Sequence, residues 1–375
     1  MESSCSCQAL GSLQLWIDSL RPSTTSRRTR SAECIPTTSQ ARQQQSLADR
    51  AFDQLHPLDK TSATDHDEEE ETVLYLGYGS NLSAETFKGK RGIHPVSQVN
   101  VLVPSLSLTF DLPGIPYSEP CFGNVRYREV TPQQDGGCTS TKDYHKDRWS
   151  KGLVGVVYEV TKSDFVHIIA TEGGGAGYQD VLVDCYALTG GPMEDVPLMP
   201  SGQPFKAHTL FAPSKTTRPD PSYAQPSPRY LKLITDGAEE HGLPLEYQAF
   251  LHQIRTFHIT TTKQRLGSFI FLSVWSPLFL FFVGGAAAIF LKPDGTYPKW
   301  FAKFLNAMFA ACWASYDNFF KETFGDGERT MRDKDEGHEG DAGHECFGSV
   351  MDEKEPLIER VQHKYGAVST VERIV

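Results

Sequence analysis

The sequence predicts an α+β domain carrying one C-terminal transmembrane helix. Three observations lead there. Apolar runs of strand length recur between Thr72 and Ala212, with most of the helical patterning collected after Pro226. The stretch Phe269–Leu291 contains no charged residue and is as long as the roughly 20 residues a membrane helix needs. Both ends of the chain are polar and poor in apolar periodicity.

The elements follow in order. Residues 1–71 are rich in Ser, Thr, Gln and charge and bury too little to offset the entropy of ordering, so they are expected to be disordered. A compact domain, 72–259, begins with "TVLYLGY", a buried strand. Val101–Phe110 alternates apolar and polar, a second strand, and Gly152–Val160 is a third. Asp111–Ser150 is turn-rich and is expected as loop. "TKSDFVHIIATEG" reads as a helix capped by Thr161 or Ser163, with Phe165, Ile168 and Ile169 on its apolar face. "YQDVLVDCYAL" and "FKAHTLFA" are further strands. Two helices follow from Ser227, broken at Gly242-Leu-Pro244.

Residues 266–292 form the expected membrane helix, flanked by Lys263, Arg265 and Lys292. A buried core helix is the bland alternative. Residues 297–324 differ: Trp300, Phe304, Met308, Cys312, Tyr316 and Phe320 recur at near-helical spacing, punctuated by lysines. That suits an amphipathic helix at a membrane interface, with a second span as the competing reading. Positive charge on both sides of the first span gives no orientation. Residues 325–375 are expected to be a disordered acidic tail, in which His338, His344 and Cys346 match no metal-site spacing.

The 375 residues carry a formal charge of -11, which excludes a general nucleic-acid binder, since a phosphate-tracking surface is basic. Much of the acid lies in Asp65–Glu71 and the tail, so it says little about a substrate. The eight cysteines show no C-x-x-C pair and read as scattered reduced thiols of a cytosol-facing protein. The first residues lack the basic and apolar regions of a secretory signal. "RPSTTSRRTRSA" has transit-peptide composition, against which Glu2, Asp18 and Glu33 stand.

Three stretches carry candidate chemistry. The first strand leaves through Gly77-Tyr-Gly-Ser-Asn-Leu82. Glycines let backbone N–H groups point at a ligand, and a helix start favours an anion, so the loop suits a carboxylate or phosphate. A plain strand-to-helix turn is the alternative. A dinucleotide fingerprint fails because Leu82 stands where its third small residue belongs, and no G-K-[ST] marks a P-loop. In the second stretch, Glu172 ends an apolar helix and four glycines follow within five residues. Burial beside Ile168 and Ile169 would make it a proton acceptor near neutral pH. A helix end with a solvent-facing Glu is the bland alternative. The third, Pro226-Ser-Pro-Arg-Tyr-Leu with Asp236-Gly-Ala-Glu-Glu-His-Gly-Leu-Pro-Leu-Glu-Tyr247, reads alone as two helices and a turn.

In this order and spacing the three stretches resemble the γ-glutamylcyclotransferase family, over roughly residues 72–258. "LPGIPYSEPCF" is similar to fungal members, some of which act on glutathione conjugates in sulfur-containing secondary metabolism. The long 111–150 stretch and the extra Gly-Gly after Glu172 depart from the pattern and bear on substrate size. The resemblance implies a small mixed β-barrel with surrounding helices. It implies a small-molecule γ-glutamyl substrate whose α-amine attacks its own side-chain carbonyl, giving 5-oxoproline and a free amine. Glu172 would be the acid/base. Backbone N–H groups of Gly79, Ser80, Asn81 and Leu82 would hold the glutamyl group, and Tyr78 would shape the loop. Tyr178 and Tyr230 would supply a wall and a hydroxyl contact, though a core role fits either tyrosine as well. No cofactor and no metal are expected. Two rivals stand beside this: a γ-glutamylamine cyclotransferase, separable by a substrate panel, and a catalytically retired membrane-anchored scaffold, against which the intact Glu172 and loop speak.

Overall fold

The computed structural model describes residues 16–17, 35–51, 71–128, 149–171, 179–212, 217–220, 223–286 and 298–331. Two expected site residues, Glu172 and Tyr178, lie outside the described residues, as does the expected tail beyond Met331. In chain order the strands are β1 (Thr72–Gly77), β2 (Ser97–Val103), β3 (Leu106–Ile115), β4 (Glu119–Tyr127), β5 (Leu153–Thr161), β6 (Gln179–Ala187) and β7 (Phe205–Phe211). The α-helices of six or more residues are α1 (Gln40–Gln45), α2 (Lys162–Thr171), α3 (Pro228–Glu240), α4 (Leu245–Gln253), α5 (Thr262–Phe279) and α6 (Lys299–Ser315), the last running on through the wide-turned Tyr316–Phe320 and the short helix Lys321–Phe324.

Antiparallel ladders join β1 to β5, β5 to β2, β2 to β6 and β6 to β7. A parallel bridge between Tyr75 and His208 then returns β7 to β1, closing a mixed five-stranded barrel. Successive side chains of a strand face opposite sides. Leu74 and Leu76 join Val101, Val157, Val183 and Phe205 in an apolar cluster drawn from all five strands, which fills the ring. Val73 and Tyr75, on the other face of β1, pack with Phe165 and Ile168 of α2 and Tyr230 and Ile234 of α3. Burial on both faces is why β1 reads as an unbroken apolar run rather than an alternation.

Two expectations are corrected here. The single strand expected over Val101–Phe110 is two, turning at Pro104-Ser105, because proline cannot donate to a continuing ladder. The segment from Asp111 that was expected as loop instead forms the rest of β3 and all of β4, a separate two-stranded hairpin. A bulge between Thr109 and Leu112, and the Pro113-Gly114 step, hide its alternation. Gly114 is required there, since a Cβ would stand 2.0 Å from the Glu119 carbonyl oxygen. Asp111, fully buried, accepts from Thr109 Oγ1, Asn124 Nδ2 and Arg126 Nε.

The region 1–71, expected to be disordered, is ordered over 35–51. Thr37 bridges Gln98, Arg42 donates to the Thr72 carbonyl at 2.9 Å and pairs with Glu159, and Ser46 Oγ accepts from Lys206 N. Polar contacts to four barrel strands fix this strap, so it carries no apolar pattern to read.

At the other end, α5 opens on a capping box of Thr261 and Gln264. Past Phe279 it continues as wide-turned helix, Leu280–Ala286. The stripe expected to face a membrane surface is divided: Trp300 and Phe304 are exposed, and the rest is covered by protein. Phe301, Leu305, Met308, Cys312 and Tyr316 pack in one cluster with Phe271, Phe279 and Val283 of α5 and with Tyr117 at the β3–β4 tip. Tyr117 takes a left-handed backbone (φ 64°), and its hydroxyl donates to the Gly325 carbonyl at 2.7 Å. The helix pair is thus seated on the hairpin.

Candidate active site

β1 ends at Gly77, where a Cβ would stand 2.9 Å from the Tyr158 ring. The chain then closes a tight turn: Leu82 N–H donates to Gly79 O and Ser83 N–H to Ser80 O. Committing the Leu82 amide to this turn narrows the expected set of loop donors, and the Leu82 side chain is fully buried in the core. Asn81 Nδ2 donates to the Tyr75 hydroxyl at 2.8 Å. Tyr78 reaches the other way, its hydroxyl donating to Leu210 O on β7 at 3.3 Å.

A back wall holds the turn, and it comes from the third stretch. Gly237 of α3 lies against it so closely that a Cβ would stand 2.4 Å from the Leu82 carbonyl carbon and 2.6 Å from Ser83 N. Glu240 accepts from Ala84 N at 2.8 Å. His241 Nε2 sits 3.1 Å from Leu82 O and 2.8 Å from the Tyr158 hydroxyl, which itself reaches Asn81 O at 3.2 Å. With hydrogen on Nε2, neutral His241 shares that one proton between Leu82 O and the Tyr158 hydroxyl oxygen, while Tyr158 donates to Asn81 O. Burial supports the neutral form, lowering the His241 pKa to about 4. The carbonyls of Asn81 and Leu82 are thereby tied down, which orients the turn's amides.

Gly237→Ala is expected to cost about 1–3 kcal/mol through overpacking, because both near atoms are backbone and cannot swing away. Thermal unfolding checks this. An unchanged midpoint would mean the turn yields freely to α3.

Tyr230 arrives from the start of α3. Ser227 caps that helix, accepting from Tyr230 N at 3.0 Å, and is held by the buried Glu119 carboxylate, which also binds Arg229 at 2.6 Å. The Tyr230 hydroxyl accepts from Gly123 N of β4 at 3.0 Å. It would lie 3.3 Å from a Cβ on Gly79 and 3.1 Å from one on Gly123, so two glycines admit it to the loop. The structure therefore brings Tyr230 and the 78–82 loop together. Glu172 and Tyr178 are not among the residues it describes, though α2 ends at Thr171, one residue before Glu172. Among the described residues no group of His, Cys, Asp and Glu is arranged to hold a metal.

The supporting residues Tyr158, His241, Glu240, Glu119 and Gly123 were not singled out from sequence. Glu240 and His241 lie inside the third stretch and Glu119 inside the LPGIPYSEPCF segment, with no role assigned to them there, and Gly123 left a signal of its own, a glycine inside a strand, which marks a close backbone approach.

Comparisons place this arrangement among known proteins. Residues 261–322 match the family model described as the AclK C-terminal domain, which covers the α5–α6 pair. The chain is 31% identical to the gamma-glutamyl cyclotransferase aclK of Aspergillus oryzae over 264 residues, 68% of this chain and 90% of that protein. It is 26% identical over 261 residues to the gamma-glutamyl cyclotransferase gliK of Aspergillus fumigatus, 68% of this chain and 89% of that protein. A solved structure described as a gamma-glutamyl cyclotransferase is 21% identical and matches 53% of this chain and 99% of its own, with a TM-score of 0.36.

Proposed function

This chain belongs to the gamma-glutamyl cyclotransferase family, and from that premise we propose that it cyclises the γ-glutamyl amide of an amino acid, of glutathione or of a glutathione conjugate to 5-oxoproline and releases the amine. The observation that supports this reading most is the convergence of the first and third stretches on one turn, with the Tyr230 hydroxyl beside Gly79.

The substrate's α-amine, freed of a proton, attacks its own side-chain carbonyl carbon and forms the ring C–N bond. The amide C–N bond then breaks, and the departing nitrogen takes up a proton. Because nucleophile and electrophile belong to one molecule, the enzyme's tasks are to fold the glutamyl chain and to move protons. Glu172 takes the proton from the α-ammonium and returns one to the leaving nitrogen. With the Leu82 amide spent on the turn, the N–H groups of Gly79 and Ser80 carry most of the hold on the glutamyl group, alongside Asn81. Tyr78 fixes the loop to β7, and Tyr178 and Tyr230 border the glutamyl group.

Among the described residues one helix, Thr262–Val283, is long and apolar enough to cross a membrane. We read the chain as membrane-attached through Phe269–Leu291, with its catalytic domain facing the cytosol.

The test is mass spectrometry for 5-oxoproline after incubating full-length protein with γ-glutamyl amino acids, glutathione, a glutathione S-conjugate and a γ-glutamylamine. Release from any of the first three with the γ-glutamylamine untouched supports the proposal. Turnover of the γ-glutamylamine alone, or of nothing by a folded protein, overturns it.

A further inference from the structure

The α5–α6 pair has a direction. Gly267 abuts Phe324, where a Cβ would lie 2.4 Å from the Phe324 Cβ. The Phe271 and Phe320 rings are 5.0 Å apart, Trp275 Nε1 donates to Ser315 Oγ at 3.2 Å, and the Phe282 and Phe304 rings are 4.7 Å apart. Every step outward along α5 is matched by a step back along α6, so the helices are antiparallel and the chain returns to its starting level.

That level is fixed to the catalytic domain by polar contacts. Gln264, fully buried, donates to Asp326 O at 2.7 Å. Arg218 binds Asp317 and Glu328, and Gln225 N donates to Glu328 O. Thr260 Oγ1 donates to Met331 O, beside the start of α5.

The solvent-facing side chains change character along the same axis. Near the domain charged and polar side chains, Lys263, Arg265, Asp317, Asn318 and Glu322, stand among the exposed Leu266, Phe269 and Phe319. Farther out α5 exposes Val274, Leu278, Leu280 and Phe281, and α6 exposes Trp300, Phe304, Ala310 and Ala314, with Lys303 the polar exception. Water is a poor solvent for such an outer end.

We propose that the α5–α6 hairpin enters a lipid bilayer outer end first, so that the catalytic domain and the chain leaving Met331 lie on the same side of the membrane. The proposal rests on the membrane-attached reading above and replaces the single crossing expected from sequence. One crossing by α5 would carry Asp317 and Glu328 to the far side, away from Arg218. Seated at the domain, Lys263, Arg265 and Lys321 fall at the depth of the headgroups.

The test uses the full-length chain with an epitope tag at each terminus, in sealed vesicles treated with protease. The amino-terminal tag precedes residues 35–51, which are bonded to the barrel, and so reports the side of the catalytic domain. Both tags should be cut together or protected together until detergent is added, and the protein should stay in the pellet after alkaline carbonate. One tag cut and the other protected, with the protein still in the pellet, overturns the hairpin and leaves membrane attachment standing. Release by carbonate overturns both.

Discussion

Glu172→Gln is expected to lower 5-oxoproline formation by about 10²–10⁴-fold, the usual contribution of a positioned general acid/base. The substitution keeps size and hydrogen-bonding capacity and removes only the titrating carboxyl. In sequence Glu172 follows closely on Ile168, which is buried, and Ile169, which packs on the core. Thermal unfolding should not change, because the substitution leaves the described core untouched. A variant as active as the parent would remove Glu172 from the mechanism.

The second large effect concerns the junction between helix pair and barrel domain. Glu328 is fully buried, accepting from Arg218 at 2.8 and 2.9 Å, with Lys321 at 3.5 Å. Burial pushes the Glu328 carboxyl up, and the Arg218 guanidinium opposes that shift. Glu328→Ala leaves Arg218 with half-exposed Asp317 and the Trp313 ring beneath it, which is 4.3 Å from the guanidinium carbon. Breaking one side of a buried pair costs about 3–5 kcal/mol, a large part of an ordinary domain's stability. The loss should appear as a lower thermal midpoint in detergent and as faster proteolysis near Ile259, where the domain joins α5. The paired change Arg218→Met with Glu328→Leu should recover most of it, because an apolar pair of similar volume carries no desolvation cost. If Glu328→Ala unfolds within about 0.5 kcal/mol of the parent, as an ordinary surface substitution does, the pair does not clamp the helices.

Much of the architecture was legible because local rules and tertiary structure agree. The apolar run of β1, the cap by Thr161 and the break at Gly242 are local signals, and the structure honours them. The β3–β4 hairpin was not legible, because a bulge, a proline and a glycine interrupt its period and its cross-strand pairs supply the stability instead. The 35–51 strap was missed for a related reason: hydrogen bonds from Arg42 and Ser46 hold it, and polar residues in a polar segment give no periodic signal.

At the site, residue type by itself offered the glycine loop and the acid candidate, and the family resemblance added the tyrosines; of these the structure describes the loop and Tyr230. Tertiary structure alone decided why Asp236–Tyr247 belongs to the site. Gly237, Glu240 and His241 touch a turn far away in sequence, and only the packing of α3 on the end of β1 makes them neighbours. It decided the fate of the C-terminal stripe in the same way. A helix apolar on one side reads alike whether it meets lipid or another helix; the contacts of Tyr117, Phe271 and Tyr316 assign that side to protein. Periodicity records that a face must leave water, and what covers it depends on which other apolar faces the fold brings within reach.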